Sequence, residues 1–168
     1  TVGAGSHVAD AEVEIRVLKE RLRCMDAHLT VPVPLRFVKH QVCAATIARN
    51  LVPRPFQSQC TRESFTGIKV DLSRDLKGVF MEYIIATRRP TDALLNTDLP
   101  RTTDALYLYS IGNAKGTIRA YDLVTECEFL CDNFKRAPMP EIVVTKIFSM
   151  WTKDEPTSKR QRKKLWRI

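Results

Sequence analysis

The side chains best suited to chemistry here are a set of cysteines and a basic terminus. Cys127 and Cys131 are close enough to approach one metal ion with a distant histidine. Cys24, Cys43 and Cys60 stand apart, however, and no second close pair completes a four-ligand zinc set. Small half-buried thiols are the preferred reading, and an odd, irregularly spaced set suits a reducing intracellular compartment. The basic terminus is the stronger signal. Lys159, Arg160, Arg162, Lys163, Lys164 and Arg167 lie between Pro156 and Ile168 with no acid among them. These six cations account for most of the net charge of +8 and leave +2 for residues 1–155. The tail therefore reads as a polyanion binder on a mildly basic body. Nuclear localisation, a phosphate-contacting arm and a solvated terminus all stay open for it. An arm making about five phosphate contacts predicts a log–log salt slope of roughly −4 to −5.

A hydrophobic content of 44% and a charged content of 27% over 168 residues fit one ordinary domain or two small ones. No apolar run is long enough for a bilayer, and the N-terminus has neither the basic start nor the apolar stretch of a signal peptide. A start at Thr1 rather than Met reads as the cut end of something longer. The expectation is an intracellular protein, nuclear or cytoplasmic, with no membrane partner.

The elements that must position these groups follow from periodicity. Val8, Ala11, Ile15, Leu18, Leu22 and Met25 form one stripe and predict a helix over 8–26, with Ser6 as N-cap and Asp10 and Glu12 near the positive end of its dipole. A second helix is expected over 35–51, after the Val31-Pro32-Val33-Pro34 break. Two such helices need a sheet to pack on, and residues 1–52 do not offer one. Pro53 and Pro55 end the second helix, and residues 53–75 read as a connector with a helical piece over 60–66 closed by Gly67. Strands are expected over 79–86, 105–109, 117–122 and 127–131, with turns at 112–116 and 124–125 and a polar loop over 87–101. Ala137-Pro138-Met139-Pro140 closes this unit, and a helix over 141–151 precedes the tail.

Several landmarks along this layout resemble copia-type retrotransposon integrases. Residues 6–21, from Ser6-His7-Val8 to Lys19-Glu20-Arg21, are similar to the family's catalytic helix. Phe65-Thr66-Gly67-x-Lys69-x-Asp71 resembles its Thr-Gly connector, and Phe80-x-x-Tyr83-Ile84 resembles its Phe-Gly-x-Tyr-Val strand. Arg101-Thr102-Thr103, Gly112-Asn113-Ala114-Lys115-Gly116 and Pro138-Met139-Pro140 resemble three further landmarks in the family's order. Each is weak alone. The six together cover roughly residues 6–140.

The resemblance implies an α+β fold: two helices from the end of a ribonuclease-H-like core (1–52), the connector (53–75), a small β-barrel-like domain (76–140), and a helix with the basic tail (141–168). It implies a core in which two aspartates and one glutamate hold Mg²⁺ or Mn²⁺ for attack on a phosphodiester. Glu12 matches the glutamate, hence a catalytic and metal-ligating role, and its place between Ala11 and Ile15 suits a carboxylate at the border of the core. Asp10 and Glu14 stay open as alternatives, Glu14 being expected to face solvent. Both aspartates lie upstream in the family by more than the eleven residues that precede Glu12. The expectation is therefore no strand transfer by this chain alone, with the remainder of an integrase core or other protomers as partners beside DNA. Arg16 and Lys19 lie on nearly the same helix face as Glu12, placed for DNA phosphates or for simple pairing on a solvated face. In the β segment, Lys115, Arg119, Tyr107, Tyr109 and Tyr121 are candidate DNA contacts. Tyr107 and Tyr109 share a strand face by period two, so core packing competes for them. A non-catalytic nucleic-acid-binding or protein-interaction module is the competing reading. Departures from the family pattern include Val13 for an Arg after the glutamate, and Met81 and Asp104 where glycines are expected; such changes cost about 1 kcal/mol or more where positive φ is required.

Overall fold

A computed structural model describes residues 4–53, 55–87 and 100–154, with the backbone alone at 4–8 and 10. The fold class is α+β. In chain order the elements are α1 (Ala4–His28), a 3₁₀ turn (Leu35–Phe37), α2 (Val38–Asn50), α3 (Thr61–Thr66), α4 (Leu72–Asp75), β1 (Tyr83–Thr87), β2 (Thr102–Ser110), β3 (Ile118–Asp122), β4 (Glu128–Cys131), β5 (Phe134–Arg136) and α5 (Glu141–Asp154). No helix among the described residues is long and apolar enough to cross a membrane.

The strands form one antiparallel sheet in the order β4-β3-β2-β1-β5. Its two edge strands are consecutive in sequence, joined only by Asp132 and Asn133. Laid flat, edges four strand spacings apart would be about 19 Å from each other, whereas three Cα steps reach at most about 11 Å. The sheet must therefore curl until its edges approach. Ile84, Ala86, Ala105, Tyr107, Ile118, Ala120 and Cys131 form one core cluster made solely of strand residues. Its three alanines leave room for the strands to close over it. The opposite face carries the larger core. Leu106, Leu108 and Tyr121 of the sheet meet Val31 and Phe37 from the helical segment and Val143, Ile147 and Met150 from α5.

The helix pair thus finds its sheet within the chain, contrary to the sequence expectation. Phe37 meets Tyr121 edge-on at 4.7 Å between ring centroids, and His40 stacks on Tyr109 at 5.8 Å. Arg36 chelates Asp154 at the end of α5 through two 2.7 Å hydrogen bonds. α1 runs antiparallel to α2: Gln41 donates to Asp26 at 2.6 Å, and Arg49 pairs with Glu14 at 3.7 Å. Only the later half of the α1 stripe is covered. Leu22 is buried, and Met25 and Leu29 pack on the main core, while Ala11 and Ile15 are exposed. The helix already includes Ser6, which corrects the expected N-cap and moves Asp10 and Glu12 beyond the first turn. There the dipole acts weakly.

The connector helix over Thr61–Thr66 is framed as expected. Gly67 closes it at φ 68, and Cys60 and Glu63 form a capping box at its start. Two other expectations change. The first predicted strand is shorter, because Met81 sits at φ 65 and only Tyr83–Thr87 is extended. Met81 therefore occupies a position that does favour glycine; Asp104, inside β2, does not. A bulge between Tyr107 and Tyr109 breaks the period-two rule, so Tyr107 faces the strand-only cluster and Tyr109 the main core. Of the loop expected over 87–101, Thr87 is the end of β1 and residues 88–99 lie outside the described residues, as does the basic tail with Lys159, Arg160, Arg162, Lys163 and Lys164.

Candidate nucleic-acid interface

The 112–116 turn is built by its own residues. Gly112 and Gly116 adopt φ 77 and 65, the Gly116 N–H donates to the Asn113 carbonyl at 3.0 Å, and the Thr117 N–H donates to Asn113 Oδ1 at 2.9 Å. The Asn113 amide donates to Thr117 Oγ1 at 2.8 Å, and the Thr117 hydroxyl donates to Asp132 at the β4–β5 corner. Asn113 is thereby committed to the turn, and Lys115 projects from it as an exposed cation.

Three cations from residues 62–77 press against this turn. A Cβ at Gly116 would lie 2.7 Å from the Lys77 Cε and Nζ atoms and 3.0 Å from Arg74 Cγ. At Gly112 it would lie 3.2 Å from Arg62 Nη1. Glycine is favoured at both positions by the positive φ, and a Cβ there would push the Lys77 and Arg62 side-chain ends aside. Arg62 donates to the Gly112 carbonyl. Its other nitrogen pairs with Asp75 at 3.2 Å, and Arg74 pairs with the same carboxylate at 3.0 Å. Asp75 is wholly buried. Burial pushes its carboxyl up, but hydrogen bonds from Arg74 and the Asp71 N–H, with Arg62 beside it, more than offset this and hold it below the usual range. The other connector acids are also occupied: Glu63 accepts from the Cys60 and Val70 N–H groups, and Asp71 caps α4 by accepting from Ser73. Arg62, Arg74, Lys77 and Lys115 thus converge on one side of the molecule, with the neighbouring carboxylates bonded to groups of the chain itself.

Lys77 also lines an adjoining cleft of about 510 Å³, together with Ser73, Leu76, Asp132, Asn133, Phe134 and Arg136. Arg136 donates to the Lys77 carbonyl and pairs with Glu82 at 3.5 Å.

The remaining candidates are dispersed. Arg119 is half-buried, donating to Glu128 at 2.9 Å with its guanidinium 5.9 Å from the Tyr109 ring centre. Glu128 also receives Lys39 and His40 of α2, each at 2.9 Å. Burial disfavours the Glu128 carboxylate, but Lys39, Arg119 and His40 hold its carboxyl down at about 2. His40 is lowered by burial, with Glu128 partly countering. This cluster clamps α2 to β3 and β4, so Arg119 is committed to the fold. Tyr107 and Tyr121 are buried, and Tyr109 lies under His40. Glu12 and Arg16 are exposed on α1, and Lys19 is half-buried. Glu12 does not sit at a core border as expected. Glu14, expected to face solvent, is half-buried and pairs with Arg49 of α2 at 3.7 Å. Among the described residues no three or more His, Cys, Asp or Glu side chains are grouped to hold a metal ion. Cys131 is buried, its thiol donating to the Asn133 carbonyl, while Cys127 is exposed. The residues around Glu12 do not by themselves fit a two-metal centre.

Of the sequence candidates, only Lys115 lies in the convergent cluster. Arg62, Arg74 and Lys77 escaped sequence reasoning because they are scattered cations with acids between them in a polar stretch. The pairing with a turn some 40–50 residues later exists only in three dimensions. The spacing of Gly112 and Gly116 was the one signal of a close approach. Compared with known proteins, the chain matches no family model, no curated protein and no solved structure.

Proposed function

We propose that this chain is a DNA-handling piece of a copia-type retrotransposon integrase, whose retained activity is binding DNA. The observation that carries the reading is the convergence of Arg62, Arg74 and Lys77 on the Gly112–Gly116 turn beside Lys115. Arg62 and Arg74 are held beside the turn by their pairing with Asp75, which fixes where the positive charge of this surface sits. Arg16, Lys19 and the tail cations Lys159, Arg160, Arg162, Lys163 and Lys164 are further DNA contacts in this reading.

In the parent enzyme Glu12 supplies one carboxylate, and the aspartates that complete a Mg²⁺ or Mn²⁺ site come from the remainder of the core. The metal's chemistry belongs to that assembly; this chain contributes DNA binding and a surface for the rest of the integrase. The ancestral β-barrel-like domain corresponds to the curled sheet, and nuclear or cytoplasmic residence accompanies the role. The competing reading, a protein-interaction module, draws support from exposed Phe65, Ile68, Leu72 and Val79 on the stretch leading into β1.

Fluorescence anisotropy with a labelled duplex over a salt series tests the proposal. Four turn-cluster contacts predict a log–log slope of roughly −3.5, steeper if the tail contributes. Lys115→Gln should flatten that slope by about one. Binding that is indifferent to salt refutes the DNA reading and favours the protein-interaction module. Incubation with Mg²⁺ or Mn²⁺ and element-end DNA should give no joining, and robust joining by this chain alone would refute the fragment reading.

A further inference from the structure

The cleft beside the turn has a different chemistry from the turn itself. We propose that it seats one unpaired nucleotide, so that the chain prefers single-stranded to duplex nucleic acid. This rests on the nucleic-acid reading above and adds the class of strand.

Four observations carry it. The cleft's volume of about 510 Å³ lies within the range of small-ligand sites. Its lining joins apolar surface from Leu76 and Phe134 to two cations, Lys77 and Arg136, with Ser73 and Asn133 as further hydrogen-bonding groups. Asp132 brings one carboxylate into the lining and Glu82 pairs with Arg136 from outside it, so a monoanionic phosphodiester is met chiefly by Lys77 together with Arg74 and Lys115 of the adjoining turn cluster. Finally, Lys77 belongs both to the cleft and to the turn cluster, so a strand following the cations from Lys115 past Arg74 arrives at the cleft.

Bases in a duplex are paired and stacked, with their faces hidden. A recess that offers an aromatic side chain can be reached only by a base free of its partner. The lining is also positioned by the fold. Phe134 lies against Tyr107 with ring centroids 5.8 Å apart, Lys77 is held between the Gly116 backbone and the Asp132 carbonyl, and Arg136 is tied to Glu82 and the Lys77 carbonyl. A nucleotide entering it meets side chains whose placement precedes binding, which lowers the entropic cost of association.

The experiment compares the full chain's affinity for labelled oligothymidylate with that for the same strand annealed to its complement, at one low salt concentration. Single-strand binding is expected to be about tenfold tighter, the scale of one base–aromatic contact. Phe134→Leu keeps apolar volume but removes the aromatic face, and Arg136→Gln removes one cleft cation. Each should bring the single-strand to duplex ratio down toward one, whereas Lys115→Gln should weaken both ligands together and leave the ratio in place. Circular dichroism melting accompanies each variant. Amide chemical shifts of the unaltered chain on adding thymidine monophosphate give an independent readout, and changes confined to residues 73–77 and 132–136 support the site. Equal affinity for both strands, a ratio that survives Phe134→Leu and Arg136→Gln in folded protein, or shifts scattered over the surface would overturn the cleft while leaving DNA binding intact. Failure to bind either strand overturns the nucleic-acid reading and the cleft with it.

Discussion

Glu128 is the side chain on which the attachment of the helices to the sheet can be tested quantitatively. It accepts from Lys39 and His40 of α2 on one side and from Arg119 of β3 on the other, all at 2.9 Å. Replacing it by glutamine keeps the shape and removes the charge. A carboxyl carried from its ordinary 4.5 to about 2 on folding is linked to ~3 kcal/mol of stability at neutral pH. Solvent reduces this, because the Glu128 side chain retains 27% of its exposure and Lys39 68%. The expected loss for Glu128→Gln is therefore about 1.5–2.5 kcal/mol, read as a shift in the urea midpoint at neutral pH. The sign in acid is also fixed. A depressed carboxyl stabilises the fold fully above its unfolded value and loses that contribution as pH falls through its folded value. The difference between parent and Glu128→Gln should thus shrink between pH 4.5 and about 2 and vanish below that window. His40, lowered by burial, adds acid sensitivity of the same sign starting nearer its ordinary 6.5, as the fold resists charging it. A loss under 0.5 kcal/mol at neutral pH, or one that persists unchanged in strong acid, would refute the clamp; ~1 kcal/mol is what a single neutral hydrogen bond would give.

Three further outcomes follow from other contacts. Asp154→Asn weakens the bidentate grip of Arg36 and should cost about 1–3 kcal/mol by denaturant titration, with trypsin cutting earlier near α5. Gly67→Ala meets nothing within 4 Å but must hold φ 68, so thermal melting should show a loss of about 1 kcal/mol from backbone strain alone. Gly78→Ala has the opposite cause: the added Cβ would lie 2.6 Å from the buried Tyr107 ring, and the change should cost about 1–3 kcal/mol, with altered near-ultraviolet tyrosine signals.

Sequence periodicity located most elements because local signals define them. Gly67 after Thr61–Thr66, the proline pair before the 3₁₀ turn and the paired glycines at 112 and 116 are each sufficient in their own neighbourhood. What stayed illegible depends on distant partners. β5 is three residues long, too short for alternation, and exists because β1 pairs with it. The Tyr107 and Tyr109 rings part company through one bulge residue, which no alternation pattern announces. Glu12 and Glu14 are separated by two positions on one helix, and only the location of α2 decides which of them meets Arg49. The basic cluster was half legible: Lys115 stands beside a recognisable turn, whereas Arg62, Arg74 and Lys77 reach it through tertiary packing.

The long-range ties of the helical segment also constrain how the chain matures. Arg36 waits for Asp154, 118 positions later, and His40 waits for Glu128, 88 positions later. Contacts so distant in sequence are slow to form and carry a high loop-closure entropy. During N-to-C synthesis, α1 and α2 emerge before the sheet and α5, so Val31 and Phe37 lack the rest of their core until those elements follow. Over that interval the nascent chain exposes the apolar stripe of the helix pair, which invites chaperones or association with other chains. A truncation just before α5 would extend that vulnerable interval indefinitely.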